Sequence, residues 1–407
     1  MTQKIINMDK RLFVYFVIIG LTAFGLGLSN DVMNNYFEEA YNVTAFQRGL
    51  IEFPRELPGV LVILVIAVLS FMTDIRICMI SQILSIIGIA TLGLFTPTFS
   101  VMLIFVFINS MGMHLFFPLQ DSIGMSLIDD NNVGKMMGRY KGVSTTFTML
   151  AAILVLIGFR MGFFSFTTKI KWIFIISAST LIIVLIMLFV FEHMNKETIK
   201  SYKKIKFIFR KEYKYYYTLV VMFGVQKQIM MVYGPWVIIS LLGKKADTMA
   251  ILAIIGLFIG MFFIPAVGKW IDRFGIKTFL FIDALSFIGV YLIYGILSAG
   301  FYSGKIALFG FPVIMAYALL IMDRMSNQFG MIRTIYLRSI AVDIADITPT
   351  LSLGISLDHI VSIICAVLGG VVWSVWGPQY IFFLAAALSL VNLYVATKVK
   401  DVEKIVR

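Results

Sequence analysis

The stretch GKWIDRFGIK, residues 268–277, decides the reading of this chain. Its pattern is G-x-x-x-D-R-x-G-x-K, four charges within ten residues of an otherwise charge-poor sequence. An apolar run, residues 248–268, leads into it, and another, residues 278–298, leads out. Each has the ~20 apolar residues that a helix needs to cross a bilayer core. A turn this short between two such runs predicts two antiparallel membrane spans.

Working outward, the same pattern repeats along the whole chain. Six runs precede the middle: residues 12–36, 46–72, 77–95, 101–124, 142–163 and 171–192. Six follow it: residues 215–242, 248–268, 278–298, 306–329, 350–373 and 378–397. The composition agrees. Of 407 residues, 60% are apolar and 14% charged, against about 45–50% and about 25% in soluble domains. An ordinary soluble enzyme and a disordered chain are excluded. Membrane β-strands would alternate polar and apolar over about ten residues; these runs are longer and uniformly apolar. The fold class expected is an all-α polytopic membrane protein with twelve transmembrane helices. Cys78 and Cys365 give neither a disulfide framework nor a metal pattern. The apolar run near the N-terminus is too long for a signal-peptide core and reads as an uncleaved first span.

The net charge of +12 is explained by topology. With the N-terminus in the cytoplasm, 24 of the 34 Lys and Arg fall in inner segments, 7 in outer segments and 3 within spans. Arg48, Lys171 and Lys244 count as outer; Arg76, Arg333 and the run from Lys196 to Lys214 count as inner. This bias places both termini in the cytoplasm. The expected location is the cell (plasma) membrane, with lipid as the neighbour of the basic loops and no nucleic-acid partner.

Six plus six spans suggests an internal duplication. The loop that matches residues 268–277 in the first half is SFMTDIRI, residues 70–77, which keeps Asp74 and Arg76. Asp74 and Asp272 stand 198 positions apart, and Asp121 and Asp323 stand 202 apart. The loop spacing resembles the signature loop of the major facilitator superfamily; the first-half copy is degraded. The resemblance implies two six-helix bundles, residues 1–192 and 215–407, joined by a basic cytoplasmic linker, residues 193–214. It also implies secondary transport by alternating access, with spans one, four, seven and ten lining a central cavity. Gly268, Asp272, Arg273, Gly275 and Lys277, with Asp74 in the first half, form the expected cytoplasmic latch. Its physical basis is local: a carboxylate suits a helix N-terminus and basic groups suit helix C-termini.

Ionisable residues inside spans are costly and therefore functional candidates. One group is expected near the outer side: Asp31, and Glu52, Arg55 and Glu56 in the stretch IEFPRELPG. Spacings of three and four put the last three on one helical face. Three carboxylates against one guanidinium favour a shared proton. A central group comprises His114 in span four and Lys227 in span seven, where Gln226 and Gln228 flank the lysine. Lys227 lies too deep to snorkel; it needs a wet cavity or a carboxylate of spans one or two. By the family resemblance His114 and Lys227 face the substrate, with Arg55, Gln226 and Tyr233 as further contacts, and a cation there suits an anionic or zwitterionic solute. A third group, Asp323 and Arg324 in span ten and Asp358 and His359 in span eleven, is expected at the inner side as a gate opposite the outer cluster. Asp121 reads as an interface residue, and the pair Asp129 and Asp130 as a solvated turn rather than a metal site.

The function expected is proton-coupled secondary transport of a small solute by a monomer, with no enzymatic step and no cofactor. No phosphate-cradling Gly-x-x-x-x-Gly-Lys pattern suggests ATP as the driver. A multidrug-type exporter, a non-transport sensor or partner protein, and a membrane enzyme acting on lipids stand as alternatives.

Overall fold

The computed structural model describes residues 10–69, 71–127, 133–194, 210–326, 331–343 and 346–399. Every regular element among them is helical. In chain order the α-helices are α1 (Lys10–Asn30), α2 (Met33–Tyr41), α3 (Ala45–Val68), α4 (Asp74–Leu94), α5 (Phe99–Ser126), α6 (Val133–Arg160) and α7 (Trp172–Met194). Then follow α8 (Lys214–Trp236), α9 (Ala246–Phe274), α10 (Ile276–Tyr302), α11 (Phe311–Ser326), α12 (Met331–Ile340), α13 (Ile347–Trp376) and α14 (Pro378–Lys398). A single π turn, Val237–Leu241, extends α8 beyond Pro235. A proline there removes one helical donor, and such irregularity is its usual result.

Nine segments among the described residues are long and apolar enough to cross a membrane, α1 and α2 counting as one. The other spans expected from sequence fall on α3, α8 and α11. These are the spans whose polar cargo lowers their hydropathy: Arg48, Glu52, Arg55 and Glu56 on α3, and Gln226, Lys227 and Gln228 on α8. α11 is only 16 residues long.

Several expected boundaries move. Span one breaks at Asp31 and Val32 and resumes as α2. Span ten begins at Phe311 rather than 306, because Gly310 takes a φ of +73° that a helix cannot continue through. The charged stretch 268–277 is not an open loop. α9 runs through it to Phe274, Gly275 turns the chain at a φ of +85°, and α10 starts at once. The motif is thus a helix–glycine–helix corner, with Lys269 and Arg273 exposed on the last turns of α9.

The chain divides into two compact units: Met1–Tyr41, Leu57–Lys203 and Ala246–Ile254 in one, Asn42–Glu56, Lys204–Lys245 and Ile255–Arg407 in the other. Each has its own apolar core. The first centres on Tyr15, Ile75, Leu115, Tyr140 and Phe191; the second on Tyr213, Leu219, Phe279, Tyr336 and Leu337. Lipid is as apolar as these side chains, so close packing and interhelical hydrogen bonds, not water exclusion, hold such helices together. In the first unit Ser177 donates to the Gly25 carbonyl at 2.6 Å, tying α7 to α1. In the second, Tyr294 donates to the Gly234 carbonyl at 2.7 Å, tying α10 to α8. α3 contributes to both units: its first twelve residues belong to the second, the rest to the first.

Candidate functional site

The second unit holds a polar cluster built by α3, α8 and α13. Helical spacing sets its first layer. Arg48, Glu52 and Arg55 lie at i, i+4 and i+7 on α3, so all three share one face. Glu52 takes Arg48 at 2.6 Å and Arg55 at 2.5 Å on the same oxygen. Its other oxygen accepts from Gln228 Nε2 of α8 at 3.0 Å. Arg48 and Glu52 are both fully buried. A buried ion costs several kcal/mol unless paired and hydrogen-bonded, and three donors on one carboxylate meet that condition.

The second layer comes from α13. Asp358 forms a short ion pair with Lys227 of α8, and the adjacent His359 places Nδ1 2.7 Å from Glu56 Oε2 of α3. Two consecutive residues of one helix therefore engage two different partner helices. The packing that permits this is tight. Gly49 of α3 lies against the Ala366 carbonyl and the Tyr233 hydroxyl, and Gly370 of α13 lies 2.9 Å, measured from where its Cβ would be, from the Ala45 carbonyl. Any side chain at either glycine would push α3 off α13.

This arrangement corrects the expected grouping. Asp358 and His359 do not form an inner gate opposite the α3 cluster; they are its partners. Asp358 is eleven residues into the thirty-residue α13, about 16 Å along the helix axis from its start. Arg48 is not an outer-loop charge; it is the fully buried counter-ion of Glu52. Lys171, read as an outer-loop residue, is also buried and bonds to Thr96. Within the cluster the basic groups Arg48, Arg55 and Lys227 stand against the acidic groups Glu52, Glu56 and Asp358.

The remaining candidates are placed as follows. Gln226 points away from Lys227: its amide donates to Ser389 at 2.5 Å and accepts from Asn392 at 3.0 Å, both on α14. Tyr233 is buried, bonded to the Ala366 carbonyl and 5.8 Å, ring to ring, from Trp373. Asp323 is 3% exposed and accepts from Tyr291 at 3.2 Å. Arg324 is half-buried and passes by Gly256 of α9. In the first unit, His114 sets Nδ1 2.9 Å from the Ser110 carbonyl, one turn back on α5. Asp31 lies at the break between α1 and α2. The first-half latch residue Asp74 opens α4, is buried, and accepts from Ser122 of α5 at 3.2 Å. Thr73 caps that helix, and Arg76 pairs with Glu192 of α7 at 2.6 Å. Around Gly275, Arg273 lies over the Phe274 ring and Lys277 is in the first turn of α10. The side chain of Asp272, the surroundings of Gly268, and the pair Asp129 and Asp130 lie outside the described residues.

Sequence reasoning missed Asp283 of α10 and Arg333 of α12, which pair at 3.2 Å and are 2% and 4% exposed. The signal was available: Asp283 lies inside an apolar run, and an intramembrane acid calls for a basic partner.

The helical arrangement can be compared with solved structures. A mutant form of the nucleoside transporter NupG superposes with a TM-score of 0.77 at 12% identity, over 96% of this chain and 99% of that one. A POT family transporter in complex with a thioalcohol-conjugated peptide gives 0.72 at 12% identity, over 95% of each chain. A D-xylose-proton symporter gives 0.68 at 13% identity, over 96% and 98%. At these identities the likeness is one of fold alone. No curated protein sequence matches the chain. The sequence profile described as Major Facilitator Superfamily matches residues 12–342. With that match over most of its length, and with the fold and membrane helices described above, this chain belongs to the major facilitator superfamily of integral membrane transporters.

Proposed function

We propose that the chain is a proton-coupled secondary transporter of a small anionic or zwitterionic solute, working as a monomer in the cell membrane with both termini cytoplasmic. One observation carries this reading: Lys227, a cation deep in α8, has one carboxylate partner among the described residues, Asp358, and next to that partner stands the pair His359 and Glu56.

The chemistry follows from charge balance. A lysine held by one carboxylate is a site where an incoming anion can compete, because the anion replaces the charge that leaves. The Lys227 and Asp358 side chains are 24% and 17% exposed, so solutes have more access to them than to the sealed Arg48 and Glu52. The proton is placed on the His359–Glu56 pair. A charged imidazole ring holds a carboxylate more tightly than a neutral one does. Losing that proton weakens the hold of α13 on the N-terminal half of α3, the part that belongs to the second unit. Proton movement and helix release are then one event. The groups facing this pair are Glu52, Arg48 and Arg55 on α3, Lys227 on α8 and Asp358 on α13.

The test is transport by purified protein in vesicles. Counterflow of a radiolabelled carboxylate or phosphate, accumulation driven by an imposed pH gradient, and loss of both in Lys227→Ala are the expected results. Flux of a neutral or cationic solute that is unchanged by Lys227→Ala would overturn the reading.

A further inference from the structure

Arg333 of α12 is a buried guanidinium whose donors are only partly used. Nη2 lies 3.2 Å from Oδ2 of Asp283 on α10. The plane stacks on the Phe223 ring of α8, 3.6 Å from its centroid. Nε and Nη1 are buried and have no hydrogen-bond acceptor among the described residues. A charged donor left unmatched away from water is expensive, and in a membrane protein such a group marks a second arrangement in which it is matched.

Two carboxylates near Arg333 keep a spare oxygen: Asp283 itself, through Oδ1, and Asp358. Oδ2 of Asp358 holds Lys227, while its Oδ1 is buried and accepts nothing from the described residues. That free oxygen lies against Gly224, 2.8 Å from the position a Cβ would take. Gly224 follows Phe223 on α8, the residue whose ring carries the Arg333 guanidinium. Asp358 also acts electrostatically on Arg333. The four groups thus alternate in sign, Lys227, Asp358, Arg333 and Asp283, and carry no net charge together. Gly224 leaves the space in which the Asp358 carboxylate can turn.

We infer that Arg333 is a positioning residue that takes the Asp358 carboxylate from Lys227 when an anionic group binds to Lys227. The exchange keeps every buried charge partnered. Lys227 passes from Asp358 to the bound anion, and Asp358 passes to the spare donors of Arg333. Without Arg333 the departing carboxylate has no partner, and it competes with the anion instead. This inference rests on the proposed role of Lys227 as the anion contact.

The test measures dissociation constants of acetate, succinate and inorganic phosphate for the purified full-length protein. Asp358→Asn, which removes the competing carboxylate, is expected to bind at least one of these anions at least tenfold more tightly than the parent. Arg333→Gln is expected to weaken that anion about tenfold, and Arg333→Lys to restore most of the affinity. In Arg333→Gln combined with Asp358→Asn, affinity returns to the level of Asp358→Asn alone, since no carboxylate needs a new partner. A purely structural role for Arg333 would not give that suppression. Asp283→Asn supplies a readout of opposite sign that does not depend on Arg333→Gln folding: it frees Arg333 for Asp358, so anion binding tightens several-fold. Parental affinity in Arg333→Gln, failure of suppression, or weaker binding in Asp283→Asn overturns the inference. The underlying reading fails separately, if Lys227→Ala combined with Asp358→Asn binds these anions as well as Asp358→Asn alone.

Discussion

Nδ1 of His359 lies 2.7 Å from Oε2 of Glu56, residues 303 positions apart in sequence. The contact joins α13 to the N-terminal half of α3, directly beside the ion pair of Lys227 and Asp358. Both side chains are mostly buried, at 15% and 10% exposure, so the proton state of this pair bears on how firmly the two helices hold each other.

His359→Gln keeps a hydrogen-bond donor toward Glu56 but removes the titration. The expected outcome is retained counterflow with loss of accumulation driven by a pH gradient, and a flux that no longer varies between pH 5.5 and 7.5. Vesicle assays with and without an imposed gradient measure both. Gradient-driven accumulation equal to that of the parent would place the coupling proton elsewhere.

Lys227→Ala leaves Asp358 without its counter-ion. Breaking a buried pair costs about 3–5 kcal/mol; the partial exposure of this one screens it and reduces the penalty to roughly 1–3 kcal/mol. Membrane insertion is expected to persist while transport is lost. Adding Asp358→Asn recovers thermal stability without recovering transport, and that split separates a binding role from a structural one. Recovery of flux in the double variant would show that the lysine only neutralises Asp358.

Glu52 is the structural counterpart of that pair. Glu52→Ala removes the paired carboxylate beside Arg48, whose side chain has no exposure at all, so a loss of about 3–5 kcal/mol is expected. Arg55→Ala is far milder, because Arg55 is 27% exposed and Glu52 retains Arg48 and Gln228. The melting temperatures of the two detergent-purified variants give the comparison. Equal losses would mean that Arg48 does not depend on Glu52.

Much of this architecture is readable from the residues, and the failures have physical causes. The long apolar runs and the spacing around Asp272 and Gly275 mark the fold because lipid imposes one rule on every span. The site is harder to read because it depends on contacts between helices distant in sequence. Glu52, Glu56, Lys227, Asp358 and His359 are each recognisable as costly intramembrane groups. Their pairing is not, since the partners lie on helices far apart in sequence, His359 and Glu56 being 303 positions apart. Arg48 lies early in its run and so reads as a loop charge, although its spacing of four from Glu52 is a pairing signal. Gln226 is adjacent to Lys227, yet one residue is a rotation of about 100° on a helix, which turns it toward α14.

The last prediction concerns the entry to α8. Asp346, just before α13, takes a hydrogen bond from the Tyr213 hydroxyl at 2.8 Å and an ion pair with Arg210 at 2.6 Å. The same hydroxyl accepts from the Val342 amide at 3.0 Å. The Tyr213 hydrogen bond, and then Arg210, against the opposing effect of desolvation, hold the Asp346 carboxyl below its ordinary value. For a carboxyl depressed in the folded state, the stabilisation is fully present above the unfolded pKa of ~3.9 and is lost as pH falls through the lower folded value. Asp346→Asn is therefore expected to be less stable than the parent by a margin that stays constant from pH 8 to 5. That margin shrinks only in acid below about pH 4. Tyr213→Phe lowers stability in the same direction, because it removes the hydroxyl from both Asp346 and Val342. Thermal melts of the purified variants across pH measure this. A margin that already disappears between pH 7 and 5 would mean that a histidine, not Asp346, controls the strap between α8 and α13.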